Sequence, residues 1–244
     1  MRVIIKASDV AVAIGQSRFK TPEELKNEMW KKYRPETFTS KTKKDEAEEA
    51  LGRSDVARLV FNEATAAKPK NSSDTQRVFL EAKKKIQNDI SMSKEDKDKI
   101  IEHIRSKIYT SHGTRNEDKT AEKTGLDLHR DDTFYSHHLA TWDGVEYVIT
   151  GRIDRIEKQP DGTEVLVEIK NRTKGLLRAL WPTEEIQIQT YLHMLDLEKA
   201  KLIEQYNDQL NTITVTRDRE QWYNIIEPDL ENFCRNLHSI FRAS

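Results

Sequence analysis

The chain has 244 residues, of which 34% are charged and 36% are hydrophobic, and its formal net charge is −1. This length fits one α/β domain with a substantial core, while the near-neutral charge excludes a chain-wide basic field for nucleic acid, so that any such binding needs a local patch. The single cysteine, Cys234, excludes an internal disulfide framework and a four-cysteine iron–sulfur cluster, and we expect it to be a buried small hydrophobic residue.

Two short helices are predicted near the N-terminus. Ser8 is a plausible N-cap for a helix over residues 9–14, which Gly15 would end. A second helix begins at Thr21-Pro22, with Glu24 completing a capping box. Residues 39–49 are polar and charged, which predicts a loop or a weak helix.

Residues 40–108 form a region that is predicted to be helical. Ser54 can cap a helix that stops before Pro69, and apolar residues recur at helical spacing over 78–90 and 100–108. The opposite faces are rich in lysine. A solvated surface is the favoured interpretation of these faces, and contact with a nucleic-acid backbone is the alternative. We expect this region to be an insertion within a single domain over 1–244.

The second half of the chain alternates strand and helix signals. Asp143-Gly144 and Asp161-Gly162 are turn signals between strand-like runs. The predicted elements are a helix over 113–123, strands over 133–141, 145–156 and 163–170, a helix opened by Trp181-Pro182, a strand over 212–217, and an amphipathic C-terminal helix with Leu230, Phe233, Leu237 and Phe241 on one face. This order predicts an α/β fold with a mixed central sheet flanked by helices.

Charged residues converge on one of these strands. Side chains alternate between the two faces of a strand, so Glu168 and Lys170 point one way while Val167 and Ile169 point towards a core. Asp154 lies on the strand before the Asp161-Gly162 turn. Two carboxylates and an ammonium at one end of a hairpin are suited to binding a metal ion and cleaving a phosphodiester.

The ordered motifs resemble the PD-(D/E)xK nuclease superfamily. They are Gly113-x-x-x-Glu117, Asp154, Glu168-Ile169-Lys170 and Gln187-x-x-x-Tyr191, with Ile153 at the position of the family's proline. Residues 1–38 and 110–244 are similar to the lambda-exonuclease and YqaJ-type viral recombinases of the RecB-like branch. The resemblance implies a restriction-endonuclease-like core and a metal-dependent DNA exonuclease that serves viral or phage recombination, replication or repair.

The same resemblance implies roles for individual residues. Asp154, Glu168 and the carbonyl of Ile169 would bind Mg²⁺ or Mn²⁺, and Glu117 would extend the site. Lys170 would orient or deprotonate the attacking water or stabilise the transition state, and a lysine beside two carboxylates should stay charged, which favours electrostatic stabilisation. Gln187 and Tyr191, four residues apart on one helix face, would line the cleft.

A local set of residues is predicted to contact DNA. Its members are Arg152, Arg155, Arg172, Lys174 and Arg178, together with Ser8 and Arg18 in the segment that the resemblance associates with 5′-phosphate capture. Trp181 either stacks on a base or packs under its own helix. The histidines are interpreted as structural, because His137 and His138 would face opposite sides of a strand.

Several alternatives stay open on the sequence alone. A structure-selective endonuclease on the same core is one, and a DNA-binding or protein-binding module that does not cut is another. No apolar run can span a membrane and the first residues lack a signal peptide, so we expect an intracellular protein, in the host cytoplasm or nucleus or in the bacterial cytoplasm. The resemblance also implies a single-strand annealing or replication protein as a partner, and oligomers as a further expectation. Cleavage polarity and the choice between DNA and RNA stay undecided.

Overall fold

A computed structural model describes residues 1–243 of the chain. Helices and strands alternate along it, with four helices inserted before the main sheet. The strands are β1 Arg2–Lys6, β2 Leu128–His129, β3 Tyr135–Trp142, β4 Val145–Gly151, β5 Arg155–Lys158, β6 Glu164–Asn171, β7 Lys199–Tyr206 and β8 Gln209–Thr216. The helices are α1 Val10–Ala13, α2 Pro22–Tyr33, α3 Lys43–Gly52, α4 Asp55–Ala66, α5 Ser72–Asn88, α6 Lys94–Lys123, α7 Pro182–Leu195, α8 Arg219–Gln221 and α9 Glu227–Ala243.

The strands form two sheets of mixed direction. One has three strands in the order β1-β4-β3, and the other has five in the order β2-β5-β6-β7-β8. β1 runs parallel to β4 and β6 runs parallel to β7, whereas the other neighbours are antiparallel. This arrangement, with helices on both faces, confirms the predicted mixed α/β fold.

The strand predicted over 145–156 is wrong in one respect that bears on function. The chain forms β4 up to Gly151, leaves the first sheet, and enters the second sheet as β5 at Arg155. Asp154 therefore lies in the bend between two strands and not on a strand. The bend allows its carboxylate to reach across to β6, which a side chain in a regular strand would not do.

Other boundaries also differ from the predictions. Ser8 lies inside a single 3₁₀ turn over Ala7–Asp9 and caps no helix through its side chain, so the predicted N-cap is wrong. The capping box at Thr21 and Glu24 and the cap at Ser54 are confirmed. Strands β1, β2 and β7 were not predicted, β8 begins three residues before its predicted start, and α3 is a regular helix where a loop or weak helix was expected.

Helix α6 joins the two parts of the molecule. The sequence predicted separate helices over 100–108 and 113–123, but α6 is one helix of 30 residues. Its N-terminal half packs with α3, α4 and α5 around Ile100, Ile104 and Ile108, and its C-terminal half packs against β6. The predicted boundary at residue 108 thus falls within a continuous helix.

The larger core lies between the sheets and helices α1, α2, α7 and α9. The predicted apolar face of the C-terminal helix is buried in it, and so is Cys234, with no exposed surface. Among residues 1–243, no helix is both long and apolar enough to cross a membrane.

Candidate active site

Strand β6 presents two different faces, as its sequence predicts. Val167 and Ile169 pack with Ile203 of β7 under the C-terminal half of α6. Glu168 and Lys170 point to the opposite face, towards α7. Glu168 is 4% exposed, and the side chain of Lys170 is 26% exposed. A nearly buried carboxylate therefore lies beside a partly buried lysine side chain.

Gln187 completes a closed set of hydrogen bonds with these two residues. Lys170 Nζ donates to Glu168 Oε1 at 2.6 Å and to Gln187 Oε1 at 3.3 Å, while Gln187 Nε2 donates to Glu168 Oε1 at 3.0 Å. Helix α7 begins at Pro182, whose fixed φ suits a first helical turn, and this start places Gln187 over β6. The amide orients both charged groups of the Glu168-x-Lys170 motif.

Asp154 reaches the same end of β6 from the bend before β5. Its Oδ2 accepts a hydrogen bond from the backbone N–H of Ile169 at 2.7 Å. The ladder between β5 and β6 ends at the pair Arg155 and Val167, so Ile169 has no strand partner on that side. Because the N–H and C=O of one strand residue point to the same side, the carbonyl of Ile169 faces the region next to Asp154.

The pKa values of Asp154 and Glu117 are both raised. Burial and the nearby Glu168 carboxylate raise the pKa of Asp154 to about 8, against the effects of the Ile169 amide and Lys170. Burial and Glu168 also raise the pKa of Glu117. Burial lowers the pKa of Lys170, but Glu168 and Asp154 outweigh it, so that its pKa is raised and the ammonium stays charged.

Glu117 approaches the site from α6. It is half-buried, and its carboxylate interacts with Glu168, Arg155 and Lys170. Arg155 donates to the backbone carbonyl of Asp154 at 2.6 Å and forms an ion pair with Asp118. The structure thus brings the Gly113-x-x-x-Glu117 motif to the same cluster, with Arg155 beside it as a buried counter-charge.

Tyr191 supports the bend that carries Asp154. Its hydroxyl donates to the carbonyl of Arg152 at 3.0 Å, and its ring packs against Gly151. Burial and the negative charge of Glu168 raise the pKa of Tyr191, so the phenol stays a hydrogen-bond donor. Gln187 and Tyr191 therefore act on different parts of the site, one on β6 and the other on the bend.

The donor set fits a hard divalent cation. Within residues 1–243, no three His, Cys, Asp or Glu side chains are grouped to hold a metal ion by themselves. Mg²⁺, however, binds through one or two carboxylates and keeps several water molecules. Two crowded carboxylates with an adjacent backbone carbonyl offer such a set, and a cation there would relieve the repulsion that raises the pKa of Asp154.

A buried ion-pair network that the sequence does not predict lies next to the site. Arg172 donates to both carboxylate oxygens of Glu184 at 2.6 and 3.0 Å and to Glu204 at 2.8 Å. Glu204 is fully buried and also accepts the backbone N–H groups of Leu177 and Arg178. Glu204 shares one face of β7 with the buried residues Ala200 and Leu202, but no strand was predicted over Lys199–Tyr206.

The predicted DNA-contacting residues separate into two groups. Arg155 and Arg172 are mostly buried and are engaged in ion pairs within the protein. The others lie on the surface. They are Ser8, Arg18, Arg152, Lys174 and Arg178.

Aromatic rings accompany two of these exposed arginines. The Arg18 guanidinium lies 3.4 Å from the centre of the Trp181 ring, and that of Arg152 lies 5.7 Å from the centre of the Phe134 ring. Trp181 is partly buried at the N-terminus of α7 and is contacted on one ring face by a cation, so neither alternative given by the sequence describes it fully.

Solved structures of similar shape include two exonucleases. A phage-related exonuclease from Haemophilus somnus 129PT is 13% identical, with coverage of 100% of this chain and 97% of that one, at a TM-score of 0.46. An alkaline exonuclease from Laribacter hongkongensis is 15% identical, with coverage of 82% and 95%, at a TM-score of 0.41. No protein-family model matches the chain, and no curated protein matches it in sequence.

Proposed function

We propose that this protein is a Mg²⁺- or Mn²⁺-dependent deoxyribonuclease that degrades linear DNA from an end. The observation that supports this proposal is the convergence of Asp154, Glu168 and Lys170 at one end of β6, with Gln187 bonded to two of them. The resemblance of the ordered motifs to lambda-type exonucleases supports end-dependent cleavage and a role in recombination, replication or repair.

Each residue has a distinct part in this proposal. Asp154, Glu168 and the carbonyl of Ile169 would hold the metal ion, which would supply acidification of a water molecule and neutralisation of charge on the phosphate. Lys170 keeps its proton and stabilises the charge that develops on the attacked phosphate, as a preorganised cation does in a site of low solvent access. Gln187 fixes the relative positions of the Lys170 ammonium and the Glu168 carboxylate. Glu117 adds negative charge beside them.

Two substitutions test the site. Lys170→Ala and Asp154→Asn should each lower metal-dependent hydrolysis of linear duplex DNA by about 10²–10⁴-fold, the usual cost of losing a positioned catalytic group. Glu117→Ala should cost less if one metal ion is sufficient. Circular dichroism and thermal melting identify variants that do not fold, and Lys170→Gln is the second variant if Lys170→Ala fails to fold. Full activity of a folded Lys170 or Asp154 variant would refute the assignment.

A second candidate function is that of a DNA-binding module that does not cut DNA. The hydrogen bonds of Glu168 to Lys170 and Gln187 form within the protein, and such a closed set is also compatible with a purely structural role. A folded wild-type protein that binds DNA without cutting it in either Mg²⁺ or Mn²⁺ would favour this function.

A further inference from the structure

An exposed aromatic side chain lies beside a stacked cation at the entrance to helix α7. Phe19 is 62% exposed, and its ring lies at 23° to the ring of Trp181 with 6.5 Å between their centres. The Arg18 guanidinium is 3.4 Å from the centre of the Trp181 ring and 5.0 Å from that of Phe19. We call Arg18, Phe19 and Trp181 the aromatic platform.

Burial in the core does not explain the platform. Trp181 precedes α7, and the platform is linked to that helix by a bond from the Thr183 hydroxyl to the carbonyl of Gln16 at 3.3 Å. Exposing most of a phenyl ring to water costs free energy, roughly 25 cal/mol for each Å² of apolar surface. An exposed ring backed by a second, nearly parallel ring and a cation has the features of a surface that stacks on a flat ligand.

The platform and the proposed active site both include residues at the start of helix α7. Trp181 and Gln187 are six residues apart at the start of α7, which corresponds to a rise of about 9 Å. Successive nucleotides of one strand are at least about 3.4 Å apart when their bases stack, so this rise corresponds to no more than roughly three nucleotides. A strand with a phosphate beside Lys170 can therefore reach the platform with a nearby base.

We infer that the aromatic platform binds an unpaired nucleobase of the DNA strand, with the base stacked on Phe19 and Arg18 contacting the adjacent phosphate. This inference rests on the proposed function for its ligand. Every base has a π-face, so the platform would hold a strand without reading its sequence. Arg is suited to this position because its guanidinium is planar, stacks on rings and binds phosphate.

Binding of short single strands tests the inference apart from catalysis. The probes are a fluorescein-labelled thymidine decamer and an abasic deoxyribose-phosphate decamer of equal length, measured by anisotropy in EDTA so that nothing is cut. Phe19→Ala should weaken binding of the thymidine decamer about tenfold, within the range for loss of one base stack, and should leave the abasic decamer unchanged. Phe19→Tyr should restore binding.

Two further variants complete the test. As a control, Tyr223→Ala removes another exposed aromatic ring, in the short π-helix Trp222–Ile226, and should change neither affinity. Arg18→Gln should weaken both decamers and lower the slope of log affinity against log salt by about one, as for a lost phosphate contact. Equal weakening of both decamers by Phe19→Ala, no weakening at all, or failure of the wild type to bind the thymidine decamer would overturn the inference.

The proposed function is tested separately by cleavage in Mg²⁺. If the wild type cleaves DNA but Phe19→Ala does not affect decamer binding, base binding by the platform is refuted and the nuclease proposal is supported. If the protein does not cleave but Phe19→Ala weakens binding only of the decamer with bases, base binding is supported and the nuclease proposal is refuted.

Discussion

At the scale of single residues, Gly151 determines how closely Tyr191 can support the bend before Asp154. A Cβ added at Gly151 would lie 2.5 Å from Cε1 and 2.8 Å from the hydroxyl of Tyr191, closer than non-bonded atoms approach. The same hydroxyl binds the carbonyl of Arg152. A side chain at position 151 must therefore displace Tyr191 or shift the bend.

We expect Gly151→Ala to lower both stability and activity. Overpacking of this kind typically costs about 1–3 kcal/mol, and a displaced bend would move Asp154 away from Ile169. Gly52→Ala is the matched control, because nothing lies within 4 Å of a Cβ there. At the end of helix α3 the added methyl group should be neutral or should stabilise by up to about 1 kcal/mol. Thermal melting and cleavage rates measure both, and equal behaviour of the two variants would contradict this account of Gly151.

The raised pKa of Asp154 predicts a pH-dependent affinity for metal. Burial and Glu168 raise this pKa to about 8, so the metal-free carboxyl holds a proton near neutral pH, and metal binding must release it. Affinity for Mg²⁺ should fall as the pH drops below about 8, by up to about tenfold per pH unit. Isothermal titration in buffers of different ionisation enthalpy counts the released protons. No proton release near neutral pH would contradict the prediction.

The raised pKa of Asp154 also makes the stability of the metal-free fold depend on pH. A carboxyl whose pKa is higher in the folded than in the unfolded state supports the fold at low pH, and this contribution is lost as the pH rises through the folded-state pKa. Asp154→Asn should therefore raise the melting temperature of the metal-free protein at pH values above about 8. The same variant should remove stabilisation by Mg²⁺. A lower melting temperature under these conditions would oppose the account.

At the scale of elements, Arg172 connects β6, β7 and α7. It pairs with Glu184 in the first turn of α7 and with Glu204 in β7, and Glu204 in turn holds the backbone of Leu177 and Arg178. The loop between β6 and α7 is thereby fixed. Because this loop ends at Trp181, the network positions both the start of α7 and the exposed residues Lys174 and Arg178.

We expect Arg172→Ala to lower the free energy of unfolding. Weaker DNA binding by this variant would therefore not indicate that Arg172 contacts DNA. Removal of one partner of a buried ion pair typically costs about 3–5 kcal/mol, because the remaining carboxylates stay buried and uncompensated. Arg219→Ala is the control, since Arg219 and Glu198 form a pair in which both side chains are more than half exposed. Urea denaturation compares the two. A small effect of Arg172→Ala, similar to that of Arg219→Ala, would be evidence against the network.

Patterns within one element predicted part of the site, while contacts between distant elements were not predictable. Glu168 and Lys170 share a face because side chains alternate between the two faces of a strand. Gln187 and Tyr191 share a face because a helix brings residues four apart to the same side. Both pairs therefore follow from spacing alone. The break after Gly151 depends on close approach of Tyr191 from 40 residues later in the sequence. A glycine inside a strand pattern was the one local indication of it.

Strand β7 illustrates the same limit. Helix α7 ends at Leu195, and its C-cap Asp196 adopts the left-handed conformation, with φ of 55°, that a glycine usually provides at such an end. The following residues, Lys199–Tyr206, carry charges at both ends of an apolar centre, and their place beside β6 is set by pairing across the sheet. Because β7 was not predicted, its residue Glu204 could not be anticipated as a partner of Arg172.

At the scale of the whole molecule, the inserted helices are attached to the loop that follows β6. The Ser72 hydroxyl donates to the carbonyl of Arg172 at 2.8 Å, and the Gln76 amide donates to the carbonyl of Thr173. Helix α6 runs from the insertion to Glu117 in the site. The insertion is therefore placed to hold the loop that carries Lys174.

The distribution of charge predicts which cations control DNA affinity. The net charge of −1 gives no long-range attraction, so binding must depend on exposed cations near the site. Lys174→Gln and Arg178→Gln should each lower the slope of log affinity against log salt by about one. Lys84→Gln, at an exposed position on α5, should leave the slope unchanged if the lysine-rich helix faces are solvated. An equal change in all three variants would assign DNA contact to the inserted helices as well.

To test whether the protein is a metal-dependent nuclease that requires a DNA end, we would compare its cleavage of linear and covalently closed duplex DNA. The comparison is made in Mg²⁺, Mn²⁺ and EDTA, with Lys170→Ala alongside. We predict metal-dependent loss of linear DNA only, and no loss with the substituted protein. Equal cutting of closed circles would show that no DNA end is required and would favour an endonuclease on the same core. Absence of cutting by folded wild-type protein in both metal ions would contradict the nuclease assignment.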